Sequence, residues 1–252
     1  MQIDHSKVRR ESLRWLILLT LNNARPMGAQ EGPPPWTVPT EPGFFLRPEA
    51  LDLEAALPAP PSAGSLEELA DLETVRMVQA FRTPAQEAWA RTVETDTVWK
   101  AGELLGPAFT AARLPRTARF FWELTVDVHG VSEHVKRRFD RRRPPAMDGR
   151  IRPCVSLPPN ASYPSGHAFQ AFVRAEVLAD LFPERAVALR ERAHRAAWAR
   201  IQGGVHHPTD DLGGQRLAAA FVAALRRLPA YGQALARCRE EIAQRREAVP
   251  IR

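Results

Sequence analysis

Three short segments combine residues able to bind and attack a tetrahedral oxyanion: Lys136 with Arg143-Pro144, then Pro164-Ser165-Gly166-His167, then Arg200 with His206 and Asp210. As patterns they read K-x6-R-P, P-S-G-H and R-x5-H-x3-D, in that order. A phosphate ester carries about two negative charges near neutral pH and three accepting oxygens, so its site must bring several fixed donors together. Arg143 and Arg200 each offer a planar fork, and Lys136 adds a compact point charge. Ser165 adds a hydroxyl, and Gly166 lets backbone N–H groups come close without a Cβ in the way. A cradle of this kind needs no metal and no other cofactor.

Phosphoryl transfer in two steps also needs a nucleophile and an acid for the leaving oxygen. Asp210 lies four residues after His206, where its carboxylate can keep one ring nitrogen protonated and leave the other free to attack. His206 is therefore read as the nucleophile. His167, with no carboxylate close in sequence, is read as the general acid. The remaining histidines, His5, His129, His134, His194 and His207, are read as structural.

The elements that must position these residues read as helices. Ser65 with Glu68 forms a capping box ahead of an apolar stripe of Leu69, Leu72, Val75 and Val78. Thr83, Pro84 and Gln86 open a second helix. Phe120, Phe121, Leu124, Val128, Val131 and Val135 face one way over a segment from about Thr117 to Phe139, with Lys136 near its end. Pro144 and Pro145 are expected to stop regular structure. Phe169, Phe172, Val173, Val177 and Leu181 mark a helix opening just after His167, where free N–H groups favour an anion. Further helices are expected from Glu184 to about Gln202, stopped at Gly203-Gly204, from Leu217 to Leu225, and from Leu235 to about Arg246. The fold class is all-α: a single-domain multi-helix bundle with its active site at helix ends and in the loops between helices.

The 252 residues, 44% hydrophobic, are enough for one sizeable core. The net charge of +6 points to anionic partners without choosing among them. No run approaches the ~20 apolar residues of a membrane-spanning helix, so an integral membrane protein is not expected. Residues 1–29 have the layout of a signal peptide: Lys7, Arg9, Arg10 and Arg14 precede the short apolar run Trp15 to Leu21, with Ala29 before a cleavage point. Arg9-Arg10 also fits twin-arginine export, and the expected location is periplasmic or secreted. Residues 30–64 form a proline-rich arm in which Phe44, Phe45 and Leu46 argue for docking, followed by a helical domain over 65–252. Cys154 and Cys238 are compatible with one disulfide or with two thiols.

The three segments resemble the signature of the type 2 phosphatidic acid phosphatase superfamily, which includes lipid phosphatases, class A bacterial non-specific acid phosphatases and vanadium-dependent haloperoxidases. The chain is most similar to the class A enzymes, through Pro60 to Ser65, Ala161 to His167 and Gly204-Val205-His206, over a stretch from about Pro58 to the C-terminal helices. The resemblance implies a metal-free acid phosphatase in which Lys136, Arg143 and Arg200 hold the phosphoryl oxygens. It further implies that His167 is the acid, and that His206, oriented by Asp210, forms a phosphohistidine that water resolves. The expected substrate is a small-molecule phosphate monoester, with phosphate or vanadate as inhibitor and no nucleic acid partner; a homo-oligomer is compatible with the sequence. Two positions depart from the phosphatase pattern: Ala168 and Ala199 stand where hydroxyl residues are common. A vanadium haloperoxidase is the alternative enzyme, and a non-enzymatic polyanion binder using Arg137, Arg138, Arg141 and Arg142 is the alternative without catalysis.

Overall fold

The computed structural model describes residues 43–247, which are helical and contain no strand. The expected signal segment and residues 30–42 of the arm lie outside the described residues. Helix α1 (Leu66–Phe81) opens as its capping residues require: Ser65 Oγ accepts from the Glu68 N–H at 3.2 Å, and the Glu68 carboxylate accepts from the Gly64 N–H at 2.7 Å. Helix α2 (Pro84–Glu94) has the full Thr83/Gln86 capping box with proline in its first turn. Of the α1 stripe, Val75 is buried against Ile151 and Ile201 with Leu72 and Val78 beside it, while Leu69 faces solvent.

Helix α3 (Pro115–Phe139) buries all six expected apolar residues and ends at Asp140, whose left-handed φ of 44° turns the chain sharply. Pro144 and Pro145 do not stop structure; they begin the single turn Pro144–Met147, where a missing N–H costs nothing. Helix α4 (Gly166–Leu181) is the central element, packed on α5 (Ala186–Gln202), α6 (Pro208–Leu225), α3 and α7 (Pro229–Glu247). Its buried residues run around the helix rather than along one stripe, as a core helix demands. Helix α5 stops at Gly203-Gly204, the second glycine at φ 77°.

Two helices begin earlier than expected. Helix α7 starts at Pro229 rather than Leu235, with proline in its first turn. Helix α6 starts at Pro208 rather than Leu217, because Gly213 and Gly214 mask it from a propensity reading. Those glycines serve packing: a Cβ on Gly214 would lie 2.6 Å from the Ser165 carbonyl oxygen. Small residues there let α6 approach the first turn of α4, and Ser165 N–H donates to the Asp210 carbonyl at 2.9 Å across the same contact.

The described part of the arm is docked. Both oxygens of buried Asp127 accept from consecutive N–H groups of Gly43, Phe44, Phe45 and Leu46, at 3.0, 2.8, 2.7 and 3.0 Å. Phe44 meets Trp122 and Phe45 meets Phe120 with ring centroids 5.4 and 5.7 Å apart, and Tyr163 donates to the Pro58 carbonyl at 2.6 Å. Replacing Asp127 by alanine removes four charge-assisted bonds and leaves N–H groups at a buried site, which is expected to cost about 3 kcal/mol. For a chain of this size that lowers Tm by on the order of 10 °C. Thermal unfolding with limited proteolysis near residues 43–46 checks it; unchanged Tm and unchanged cleavage would refute the anchor. Cys154 and Cys238 are free thiols, the latter buried.

Candidate active site

The sequence segments converge at the start of α4. Lys136, on the last turn of α3, is buried and donates through Nζ to the Ala161 carbonyl at 2.5 Å. Arg143, delivered by the turn at Asp140, donates through Nε to the Asn160 carbonyl at 2.9 Å and through Nη1 to the Val205 carbonyl at 2.7 Å. Its Nη1 also lies 3.2 Å from His206 Nε2. Arg200, on the last turn of α5, is 1% exposed, and its Nε and Nη1 have no hydrogen-bond partner among the described residues. Buried donors left in this state are rare in folded proteins and mark a place for an acceptor.

Gly166 opens α4 with Ser165 as its cap, Ser165 Oγ accepting from the Ala168 N–H at 3.3 Å. The N–H groups of Gly166 and His167 thus occupy the first helical positions, where no intrahelical carbonyl reaches them. A Cβ on Gly166 would sit 3.1 Å from Ser132 Oγ and 3.7 Å from Lys136 Cε. The glycine therefore lets α4 open close against Ser132 on α3, beside the lysine side chain. His167 lines a cavity of about 110 Å³ with Glu94, Thr125, Gln170 and Arg174 among its other walls.

His206 sits just ahead of α6 rather than within it. Asp210 reaches it because His207 caps α6 and Asp210 is the third helical residue, folding its carboxylate back over the cap. Asp210 Oδ2 lies 3.2 Å from His206 Nδ1, 3.1 Å from His207 Nδ1 and 2.8 Å from the His207 nitrogen, and accepts from Ser162 Oγ at 2.5 Å. Burial opposes the charge on Asp210, but bonds from His206 and His207 hold its pKa well below the usual carboxylate range. A carboxylate at Nδ1 assigns the proton there and leaves the Nε2 lone pair turned toward Arg143. Burial and then Arg143 hold His206 well below its ordinary pKa, so the ring is neutral.

The cationic groups are strained electrostatically in the same direction. Burial, then Arg143, brings Lys136 down to about 7. Burial brings Arg143 and Arg200 each down to about 10. His167 is lowered well below its ordinary value by burial, then by Arg200 and His206, while the Glu94 carbonyl acts against this. An arriving dianion relieves each of these strains.

Several contributors escape sequence reasoning. Asn160 holds Arg143 twice, its Oδ1 accepting from Nη2 at 2.8 Å, and its Nδ2 donates to Glu133 at 2.7 Å. Only its place one residue before Ala161 hints at this. Arg141, grouped in sequence with an exposed basic run, is buried and paired with Asp210 at 2.7 Å and with Asp71 at 2.8 Å. Arg138 faces Glu54 at 3.3 Å, so the run is not one uniform basic face. Ala168 and Ala199 are both wholly buried; a Cβ on Gly214 would come within 2.7 Å of the Ala168 Cβ, so the close helix contact favours a small residue at 168. Among the described residues no group of three or more His, Cys, Asp or Glu is placed to hold a metal, and no helix is long and apolar enough to cross a membrane.

Residues 123–233 match the PAP2 superfamily model, a span that contains Lys136, Arg143, His167, Arg200, His206 and Asp210. A non-specific acid phosphatase of Providencia stuartii is 27% identical over 224 residues, covering 84% of this chain and 90% of that protein. One of Salmonella typhimurium is 26% identical over 210 residues, covering 79% and 83%. Among solved structures, a bacterial vanadium-dependent iodoperoxidase shares the fold at 18% identity with a TM-score of 0.52, covering 71% of this chain and 53% of its own.

Proposed function

We propose that this chain, whose residues 123–233 match the PAP2 superfamily model, is a phosphatase that hydrolyses small phosphate monoesters through a phosphohistidine. The observation that carries the reading is the buried guanidinium of Arg200 with unpartnered donors, in a site where His206 is held neutral with its Nε2 facing Arg143. Lys136, Arg143, Arg200, Ser165 and the N–H groups at Gly166 bind the phosphoryl oxygens. His206 Nε2 attacks phosphorus in line, the P–O ester bond breaks, and the leaving oxygen takes the proton of His167. Water then attacks the phosphohistidine, returns a proton to His167 and breaks the P–N bond. Asp210 keeps the Nδ1 proton in place and balances the charge on the ring throughout.

Turnover of an aryl phosphate is expected with chelator present, with vanadate competing for the cradle. A purified chain that hydrolyses no phosphate monoester under these conditions, or that oxidises halide with vanadate and peroxide, would overturn the reading. The likeness to the iodoperoxidase is one of fold alone. Export to the periplasm or medium is proposed from the N-terminal pattern, and the N-terminus of the mature protein tests it.

The pH dependence follows from the depressed cations. Lys136, lowered to about 7 by burial and Arg143, is charged below that value and loses its proton as pH rises through it. His167, depressed by burial and Arg200, is likewise acidic only at low pH or once a dianion sits beside it. The substrate is already dianionic above its second pKa of ~6, so it cannot cause a decline at higher pH. Expected is kcat/KM greatest on the acid side of neutrality and falling above about 7, with the falling limb altered in Lys136→Met. A profile that rises through pH 8 would contradict this assignment.

A further inference from the structure

A histidine that takes up a phosphoryl group becomes cationic, so its carboxylate partner must stay ionised and stay in place. Asp210 Oδ2 serves His206, and Asp210 Oδ1 is gripped from behind by Arg141 Nη1 at 2.7 Å. The same nitrogen donates to Thr209 Oγ1 at 2.7 Å, and Arg141 Nη2 donates to Asp71 Oδ2 at 2.8 Å. Asp71 also accepts from the Thr209 N–H at 3.2 Å and from the Thr209 hydroxyl. Asp71, Arg141 and Asp210 are 4%, 7% and 0% exposed. Asp71 belongs to α1, before the superfamily match begins.

The charges alternate along this line: Asp71, Arg141, Asp210, then the ring that becomes positive during attack. Without Arg141, Asp210 Oδ1 would lose its charged partner, and a carboxylate held only through Oδ2 would compete for the Nδ1 proton of the ring. Without Asp71, the Arg141 guanidinium would be buried with one partner fewer and would hold Asp210 less firmly, a costly arrangement for an interior cation. Building on the phosphatase reading, we propose that Asp71 and Arg141 are positioning residues for the attack. They hold Asp210 in a single orientation that keeps His206 in its Nδ1–H form with Nε2 aimed at phosphorus. Neither touches the phosphoryl group.

The test compares the full chain with Asp71→Asn and Arg141→Lys, substitutions close in size. Orienting partners behind metal-bound histidines are worth roughly 10- to 100-fold, so kcat on an aryl phosphate is expected to fall by about that factor with KM nearly unchanged. The double variant is expected to lose little more than the worse single one, since both act on one group. Imidazole ¹⁵N NMR supplies a readout independent of turnover: His206 is an Nδ1–H tautomer in the parent chain and a mixture in either variant. A folded variant with the parent tautomer and an unaltered kcat would overturn the proposal. So would one whose kcat falls only in step with lowered Tm while the tautomer stays fixed. If the parent chain hydrolyses no phosphate monoester, the phosphatase reading fails, and the NMR comparison still decides whether Asp71 and Arg141 set the ring. Arg141→Lys carries the test if Asp71→Asn does not fold.

Discussion

His206→Ala is expected to reduce hydrolysis of an aryl phosphate by roughly 10,000-fold or more, while phosphate and vanadate still bind. The size of the loss follows from the site. Nε2 of His206 carries no proton and accepts from Arg143 Nη1 at 3.2 Å, so its lone pair points at one of the cationic donors proposed to hold the phosphoryl group. The other buried histidine in contact with Asp210, His207, has no hydrogen-bond partner at Nε2 among the described residues, so it lacks the contact with Arg143 that places His206 at the cradle. The cradle of Lys136, Arg143 and Arg200 is untouched by the substitution, so inhibitor binding should persist where chemistry does not. A rapid-quench experiment adds a second readout: the parent enzyme should carry a phosphoryl label that is stable in alkali and lost in acid, as a P–N bond is, and His206→Ala should carry none. Full activity in His206→Ala, or a label that moves to another residue without loss of rate, would remove His206 as the nucleophile.

What could be read from the sequence was local. The capping residues Thr83 and Gln86, the apolar face of α3 and the glycine stop after α5 act within a few residues of one another, and so do the motif residues, whose charge and spacing announce an anion. Partners joined only by tertiary packing were not legible. Asp71 and Asp127 are single carboxylates in helices, and nothing in their neighbourhood says that one will meet Arg141 and the other four N–H groups of the arm. Arg141 sits among basic neighbours that suit a polyanion binder; the left-handed turn at Asp140 separates it from Arg137 and Arg138, and its side chain is buried. The start of α6 was hidden for a related reason. Gly213 and Gly214 lower helix propensity, yet they are required where α6 meets Tyr163 and Ser165, so a tertiary contact overrides a local preference.

Arg200→Met is expected to move activity and stability in opposite directions. Buried at the end of α5, Arg200 keeps Nε and Nη1 without partners among the described residues, and burial lowers its pKa to about 10. Because that value lies below the ordinary one, holding the charge in the folded protein is unfavourable at every pH below about 10, including neutrality. A methionine of similar length removes a poorly solvated cation, and such replacements often stabilise a protein by about 1–3 kcal/mol. The same change deletes the donors that a phosphoryl group would satisfy, and loss of one preorganised oxyanion donor costs roughly 100- to 1,000-fold in rate. Thermal unfolding of the ligand-free proteins should therefore show Arg200→Met melting higher than the parent, while kcat/KM collapses. Added phosphate should raise the parent's Tm through binding to the folded state and leave the variant's nearly where it was. An arginine kept for structure would behave the other way, destabilising on removal and leaving the phosphate-induced shift intact, so the sign of the Tm change alone distinguishes the two roles.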